Sequence, residues 1–332
     1  MCACRLCDNA IVRTWKSQDA KSDEVLEFGL CGSCGLVQQT SLPSDEELRI
    51  YYSHNYREDY KSTHQPKLKY VHRAGRTAKD RLSFIRLAGV TAEGKRLLDI
   101  GAGGGEFCYM ATKAGFSAHG IEPHQGYSEF ARTNYGIDIQ SCGIADLNEQ
   151  QADVITMFHV LEHLAHPRAA MKKLWEALSD EGHLIIEVPN IHQADASPHN
   201  IYFKAHLFYY SRFSLMTLAS QYFELVCMQD EGNLFMAFRK RAVPLSQLVL
   251  PTQSQIEFTL ARLEKKGWIE YLTTGRGLLK PFRRVDQILL EPKSEHTNPK
   301  LVLDAVWAND KPLQHITASV IGGTVLLCVA LC

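Results

Sequence analysis

The pattern of apolar and polar positions changes character near Arg96. From there, short apolar runs alternate with stretches whose apolar residues recur every three to four positions. RLLDI (96–100) is followed by a helical pattern over Glu106–Ala114, AHGIE (118–122) by one over Tyr127–Tyr135, and DVITMF (153–158) by one over Pro167–Leu178. HLIIEV (183–188), a helix over Ser211–Gln221, and two further strands, FELVCMQ (223–229) and NLFMAFR (233–239), complete the series. Strands that read as continuous apolar runs, separated by helices, predict a doubly wound α/β fold with a mostly parallel sheet covered on both faces. The last two strands have no helix between them, so one of them is expected to run antiparallel.

Upstream, Leu68–Leu87 reads as a helix, and Pro43 and Ser44, with Glu47 three residues on, open another through a capping box, ahead of Tyr51, Tyr52, Tyr56 and Tyr60. Downstream, Pro244–Lys266 has helical periodicity. The division expected is residues 1–42, a linker or substrate-contacting region 43–93, a central domain 94–240, and a C-terminal region 241–332 of unassigned role. The last segment, 316–332, is uncharged and apolar throughout. A membrane-spanning helix needs about 20 residues, so a terminal element packed on the protein is the expectation.

At 332 residues and 45% hydrophobic composition, the chain can bury one large core and a smaller satellite. A net charge of −1 provides no global field for a polyanion or an anionic membrane. The charge is uneven: 11 Lys and Arg against 4 Asp and Glu over 57–96, but 5 against 8 over 1–50. The start, MCACRLCDNA, lacks the basic and apolar regions of a secretory signal, and a reducing cytoplasm is the compartment expected for its thiols.

LLDIGAGGGEF (97–107) carries the sharpest chemistry. A strand ends at Ile100, and Gly101, Gly103 and Gly105 let the backbone turn and approach a ligand where a Cβ would clash. The helix that follows offers free N–H groups to an anionic group. Glu122 ends the next strand about 20 residues on, where a carboxylate can accept ribose hydroxyls. A dinucleotide fingerprint would require glycine where Glu106 stands, which disfavours a nicotinamide-dependent oxidoreductase, the alternative from another enzyme class.

Cys4 and Cys7 form one C-x-x-C, and Cys31 and Cys34, in CGSCG, a second. Two such pairs supply four thiolates to a tetrahedral ion, with Gly32 and Gly35 easing the turn of the second. Four thiolates leave no open position, so a structural zinc, stapling a segment with too little core to fold alone, is the expectation. Zinc ribbons often touch nucleic acid, which makes an RNA methyltransferase a competing reading. The acidic balance of residues 1–50 and the lack of an arginine-flanked aromatic stack argue against it.

With Asp99 ahead of it, the D-x-G-x-G-x-G run resembles motif I of class I S-adenosylmethionine-dependent methyltransferases, which have a Rossmann-like fold. The resemblance implies S-adenosylmethionine as cofactor, with Asp99, Gly101, Gly103 and Gly105 around its amino-acid part, Glu122 on the ribose and Asp146 near the adenine. DVITMFHVLEHLAHP then resembles the fourth strand and following turn of that family, placing His159, Glu162 and His163 beside the transferred methyl. The four-Cys segment, the P-S-x-E-E-L-x-x-Y-Y stretch and this core together resemble the zinc-containing sugar methyltransferases, including deoxysugar C-methyltransferases. Those C-methylating enzymes carry Y-H-E-H-x-x-Y-F-S after the fifth strand; here the stretch is YFKAHLFYYS (202–211), which keeps the His as His206 and replaces the Glu by Ala205. The resemblance therefore implies methylation of a sugar or nucleotide-activated sugar, on oxygen or carbon, with His206 as general base and His163 or His159 as second candidates. The basic stretch Lys67–Arg81 would suit a nucleotide diphosphate, Glu162 would cap and orient a helix, and the loss of the Glu leaves a non-catalytic scaffold as a further alternative.

Overall fold

A computed structural model describes residues 3–44, 46–47, 66, 68–147, 152–275, 277–280 and 298–309. The tyrosines at 51, 52, 56 and 60, Lys67 and the apolar segment 316–332 lie outside the described residues. The described elements run β1 (Ile11–Gln18), β2 (Val25–Cys31), β3 (Val37–Gln39), α1 (Leu68–Leu87), β4 (Arg96–Ile100), α2 (Glu106–Lys113), β5 (Ser117–Ile121), α3 (Gln125–Tyr135), β6 (Ile139–Gln140) and β7 (Ala152–Phe158). Then come α4 (Pro167–Ala177), β8 (Leu178–Val188), β9 (Phe208–Tyr209), α5 (Arg212–Ala219), β10 (Phe223–Gln229), β11 (Leu234–Lys240), α6 (Gln253–Lys265), α7 (Trp268–Leu272) and α8 (Pro299–Ala308).

Seven strands form the central sheet in the order β10-β11-β8-β7-β4-β5-β6. β6, β5, β4, β7 and β8 are parallel, while β11 is antiparallel to both β8 and β10, as the missing crossover helix requires. Side chains on both faces are buried: Leu98, Ile155 and Ile186 belong to one core, and Leu97, Val154 and Ile185 to the other. Strand boundaries follow the apolar runs to within a residue or so, apart from β8, which begins five residues before HLIIEV. Ser211 caps α5 by accepting from the Ser214 N–H, which shortens the helix expected there at its start.

The N-terminal residues fold on a second, antiparallel sheet, ordered β1-β2-β3-β9. Its fourth strand comes from residues 208–209, so the segment 1–42 does not close on itself. Two parts of the C-terminal region acquire a place. α6 lies against the small sheet, with Arg13 and Glu264 paired at 2.7 Å and Leu260 and Leu263 packed on its core. α8 buries Val302, Leu303 and Val306 beside α1, where a Cβ on Gly75 would fall 2.7 Å from Leu303. Asp304 completes this contact by accepting from the Tyr109 hydroxyl and pairing with Lys113, both at 2.7 Å.

Candidate active site

The chain reverses at the carboxyl end of β4, where the amides of Gly101 and Ala102 both donate to the Ile121 carbonyl, at 2.8 and 2.9 Å. Gly101 has φ +72°, and a Cβ there would sit 2.4 Å from Val160; Gly105, which begins α2, has φ +80°. Glu122, just past β5, reaches across to this turn: one carboxylate oxygen accepts from the Gly103 amide at 2.9 Å and the other from the His124 amide at 3.2 Å. The glycines and Glu122 therefore form one cradle at the ends of adjacent parallel strands, where open α/β sheets bind ligands.

Two further residues expected around the cofactor, Asp99 and Asp146, have partners of their own within the fold. Asp99 is buried and accepts from the Thr156 hydroxyl at 2.6 Å, latching β4 to β7. Burial pushes its carboxyl up to about 7 against the opposing effect of the Thr156 hydrogen bond. Through this bond Asp99 supports the turn. Asp146 is exposed in the short turn Ile144–Asp146, where it accepts from the Gly143 amide at 3.2 Å.

The chain leaving β7 brings the histidines together. His159 adopts φ +56°, a left-handed conformation uncommon for a side-chain-bearing residue and frequent at functional sites. Its ring lies between two carboxylates, Glu162 at 3.4 Å and Glu187 at 3.1 Å. Burial opposes a charge on this ring, but the hydrogen bond to Glu187 and the charges of both carboxylates prevail and raise it to about 9. This arrangement favours the protonated ring and makes His159 a counter-ion of the two carboxylates.

Glu162 is 1% exposed. Desolvation alone would raise its pKa, yet the neighbouring imidazoles of His159 and His163 hold it down at about 2. The sequence reading placed it beside the transferred methyl, with helix capping as the alternative; in the fold it is a buried carboxylate facing three imidazoles. Ligand atoms of Glu162, His163 and His206 all lie within 4.8 Å of one another. His163 bonds through Nδ1 to the Ala205 carbonyl at 2.7 Å, which fixes a proton on that nitrogen because a carbonyl only accepts. Its ring meets that of His206 edge to face, with centroids 4.9 Å apart. His206 is partly exposed, and burial followed by the charge of His163 lowers it to about 3. It is therefore a neutral imidazole with a lone pair to offer.

Arg81, Glu187 and Asn233 were not singled out from the sequence. Arg81 pairs with Glu187 at 2.7 Å and lies 4.1 Å from the centroid of the Phe158 ring. Asn233 donates to Glu187 at 2.6 Å. The legible signal was a carboxylate within the apolar run HLIIEV, since a buried charge requires partners. Lys79, also of the basic stretch, donates to the carbonyls of Val306 and Asn309 at the end of α8. With Arg81 and Lys79 engaged inside the chain, the stretch expected to hold a diphosphate loses two of its cations.

The four cysteines Cys4, Cys7, Cys31 and Cys34 are reduced, with sulfurs within 4.8 Å of one another. Cys4 and Cys34 are 3.5 Å apart, and Cys7 and Cys31 3.4 Å. A tetrahedral ion with 2.3 Å metal–sulfur bonds needs edges of about 3.8 Å, so a small adjustment admits it. The amides of Leu6 and Ser33 point at the sulfurs of Cys4 and Cys31, each at 3.4 Å.

Residues 70–227 match the family model of a methyltransferase domain. With its mostly parallel central sheet and flanking helices, the fold is a Rossmann-like methyltransferase fold. Among curated proteins, similarity is found to the ubiquinone biosynthesis O-methyltransferase of Idiomarina loihiensis, 30% identical over 118 residues, covering 33% of this chain and 49% of the relative. The enzyme of the same name from Coxiella burnetii is 26% identical over 117 residues, covering 33% and 50%. The chain spans about half the length of these relatives. Among solved structures, magnesium protoporphyrin IX methyltransferase from Synechocystis with bound S-adenosylmethionine aligns with a TM-score of 0.43 at 13% identity, covering 60% of this chain and 99% of that one. An S-adenosylmethionine-dependent methyltransferase from Mesorhizobium loti aligns with a TM-score of 0.42 at 17% identity, covering 48% and 96%. Among the described residues, no helix is long and apolar enough to cross a membrane.

Proposed function

We propose that the protein transfers the methyl group of S-adenosylmethionine to a hydroxyl of a small molecule, with His206 as general base. The observation that carries this reading is the Glu162–His163–His206 cluster, joined through Val160 to the glycine cradle. Bound S-adenosylmethionine supplies an activated methyl on sulfonium. Gly101, Gly103, Gly105 and Glu122 would hold it, and a backbone that tolerates no Cβ at Gly101 fits that use. The protein then has to align the acceptor oxygen and remove its proton. His206 is neutral and partly exposed, and the imidazolium formed when it takes the proton is favoured by the nearby Glu162 charge. His163, fixed by its bond to Ala205, orients the His206 ring.

Ala205, where C-methylating sugar enzymes carry Glu, favours oxygen over carbon as acceptor, because a hydroxyl proton demands less of a base than a C–H. A sugar is the acceptor class suggested by the N-terminal cysteine module; a ubiquinone precursor is the one suggested by the names of the matched relatives. Cys4, Cys7, Cys31 and Cys34 would hold a structural zinc. The test is methyl transfer from labelled S-adenosylmethionine to catechol and to thymidine diphosphoglucose, with calorimetry of cofactor binding. His206→Ala is expected to lower kcat by about 10² to 10⁴-fold with cofactor affinity unchanged. Near-native turnover in that variant refutes the base assignment, and a methyl found on carbon refutes O-transfer.

A further inference from the structure

His206 lies in an irregular turn, residues 202–207, and much of what holds that turn comes from the cysteine module. Gln39 follows the last Cys pair on β3 and is 6% exposed. Its side-chain amide donates to the carbonyls of His206 and Lys204, at 2.8 and 2.9 Å, with Phe203 O at 3.4 Å, while its backbone amide donates to Leu207 O at 2.9 Å. Asp19, also 6% exposed, accepts from the Lys204 amide at 2.6 Å, and Ala20 donates to Tyr202 O at 2.8 Å. From the opposite side, His163 donates to Ala205 O and the Leu207 amide donates to Glu162 O. Tyr209 closes the turn on itself, accepting from the Phe203 amide and donating to its carbonyl.

We propose that Gln39 and Asp19 are positioning residues for His206, so that the metal-binding module acts as a clamp on the catalytic turn. The inference rests on the reading of His206 as the base. A proton-accepting ring has to be held within about 0.5 Å of its productive place, and a turn without helix or strand cannot do so alone. Two nearly buried polar side chains outside the central sheet are spent on this one segment. Gln38, the neighbouring residue on β3, turns the other way, accepting from the Arg5 amide at 2.9 Å, and so provides a control that is also buried in the same strand.

The experiment compares Gln39→Leu, Gln38→Leu and His206→Ala in the full-length, zinc-loaded chain, with catechol as acceptor. Gln39→Leu is expected to lower kcat by about 10²-fold, the effect of a misplacement near 1 Å, with zinc content and S-adenosylmethionine affinity preserved. Gln38→Leu is expected to stay within about threefold of the parent, since the cost of losing a base held 1 Å away does not apply to it. In the His206→Ala background, Gln39→Leu should cost nothing further, because it acts through that ring. The His206 ring signal in proton–carbon NMR should change from one sharp line to an exchange-broadened one. Unchanged kcat in Gln39→Leu, equal losses in both glutamine variants, or losses that multiply in the double variant overturn the proposal. If His206→Ala is itself fully active, or catechol is not methylated, the base reading fails separately and the NMR comparison decides: an unaltered His206 line in Gln39→Leu overturns the clamp. Should Gln39→Leu fail to fold, Asp19→Ala carries the same test, with Asp19→Asn, which keeps an acceptor for the Lys204 amide, expected to restore the parent behaviour.

Discussion

The glycine cradle can be tested by separating backbone conformation from close approach. Gly101 and Gly136 share nearly the same backbone, φ +72° and +69°, but differ in surroundings. A Cβ at Gly136 meets nothing within 4 Å, whereas one at Gly101 falls 2.4 Å from Val160. Alanine at either position incurs the left-handed penalty of about 1–2 kcal/mol. At Gly101 the contact lies more than an ångström inside ordinary carbon–carbon separation, and overpacking of this kind adds about 1–3 kcal/mol. Gly136→Ala is thus expected to destabilise by about 1–2 kcal/mol and Gly101→Ala by about 2–5 kcal/mol. Gly101→Ala combined with Val160→Ala should recover the steric part alone. Urea denaturation measures these differences, and calorimetry with S-adenosylmethionine measures the cradle: affinity should fall in Gly101→Ala and hold in Gly136→Ala. Equal stability losses in the two single variants would refute the close approach, and unchanged affinity in Gly101→Ala would refute the assignment of the cofactor to this turn.

Further outcomes are expected elsewhere in the chain. His159 is raised to about 9 from an ordinary 6.5, so its contribution to stability is fully present below about 6.5 and is lost as pH rises through 9. Urea midpoints across that window should fall in the parent and fall less in His159→Gln; parallel profiles would contradict the two-carboxylate arrangement. Removal of metal by a chelator should alter Trp15 fluorescence and abolish turnover while leaving S-adenosylmethionine affinity within about threefold, because the cradle belongs to the other sheet. Loss of cofactor binding would show the two sheets to be interdependent. Leu303→Ala, fully buried on α8, should cost about 2–5 kcal/mol in denaturation, and a neutral result would detach α8 from the core.

What the sequence made legible follows from how local each determinant is. RLLDI and DVITMF are strands in which every residue after the first is buried, and such runs are read without knowing their neighbours. The helix Leu68–Leu87 was legible to the residue, since its apolar face repeats over five turns. The small sheet was not, because β1 is mostly exposed and β9 is two residues long, so neither has a burial pattern to display. In the site, the glycines and Glu122 are joined by a motif of fixed spacing. The balance among His159, Glu162 and Glu187 depends on the ends of β7 and β8 meeting, and no spacing encodes which imidazole holds its proton. Arg81 remained hidden for the same reason: 106 residues separate it from Glu187.

The pairing of β3 with β9 also bears on synthesis of the chain. Gln39 finds its partner carbonyl 167 residues later, so on a ribosome adding about 5–20 residues per second the nascent N-terminus waits roughly 8 to 33 s for its fourth strand. During that interval three short strands and four reactive thiols stand without their final cover. Early capture of an ion by those sulfurs would protect them from oxidation and preserve the edge on which the later segment must dock, and metal supply during translation would then bear on yield.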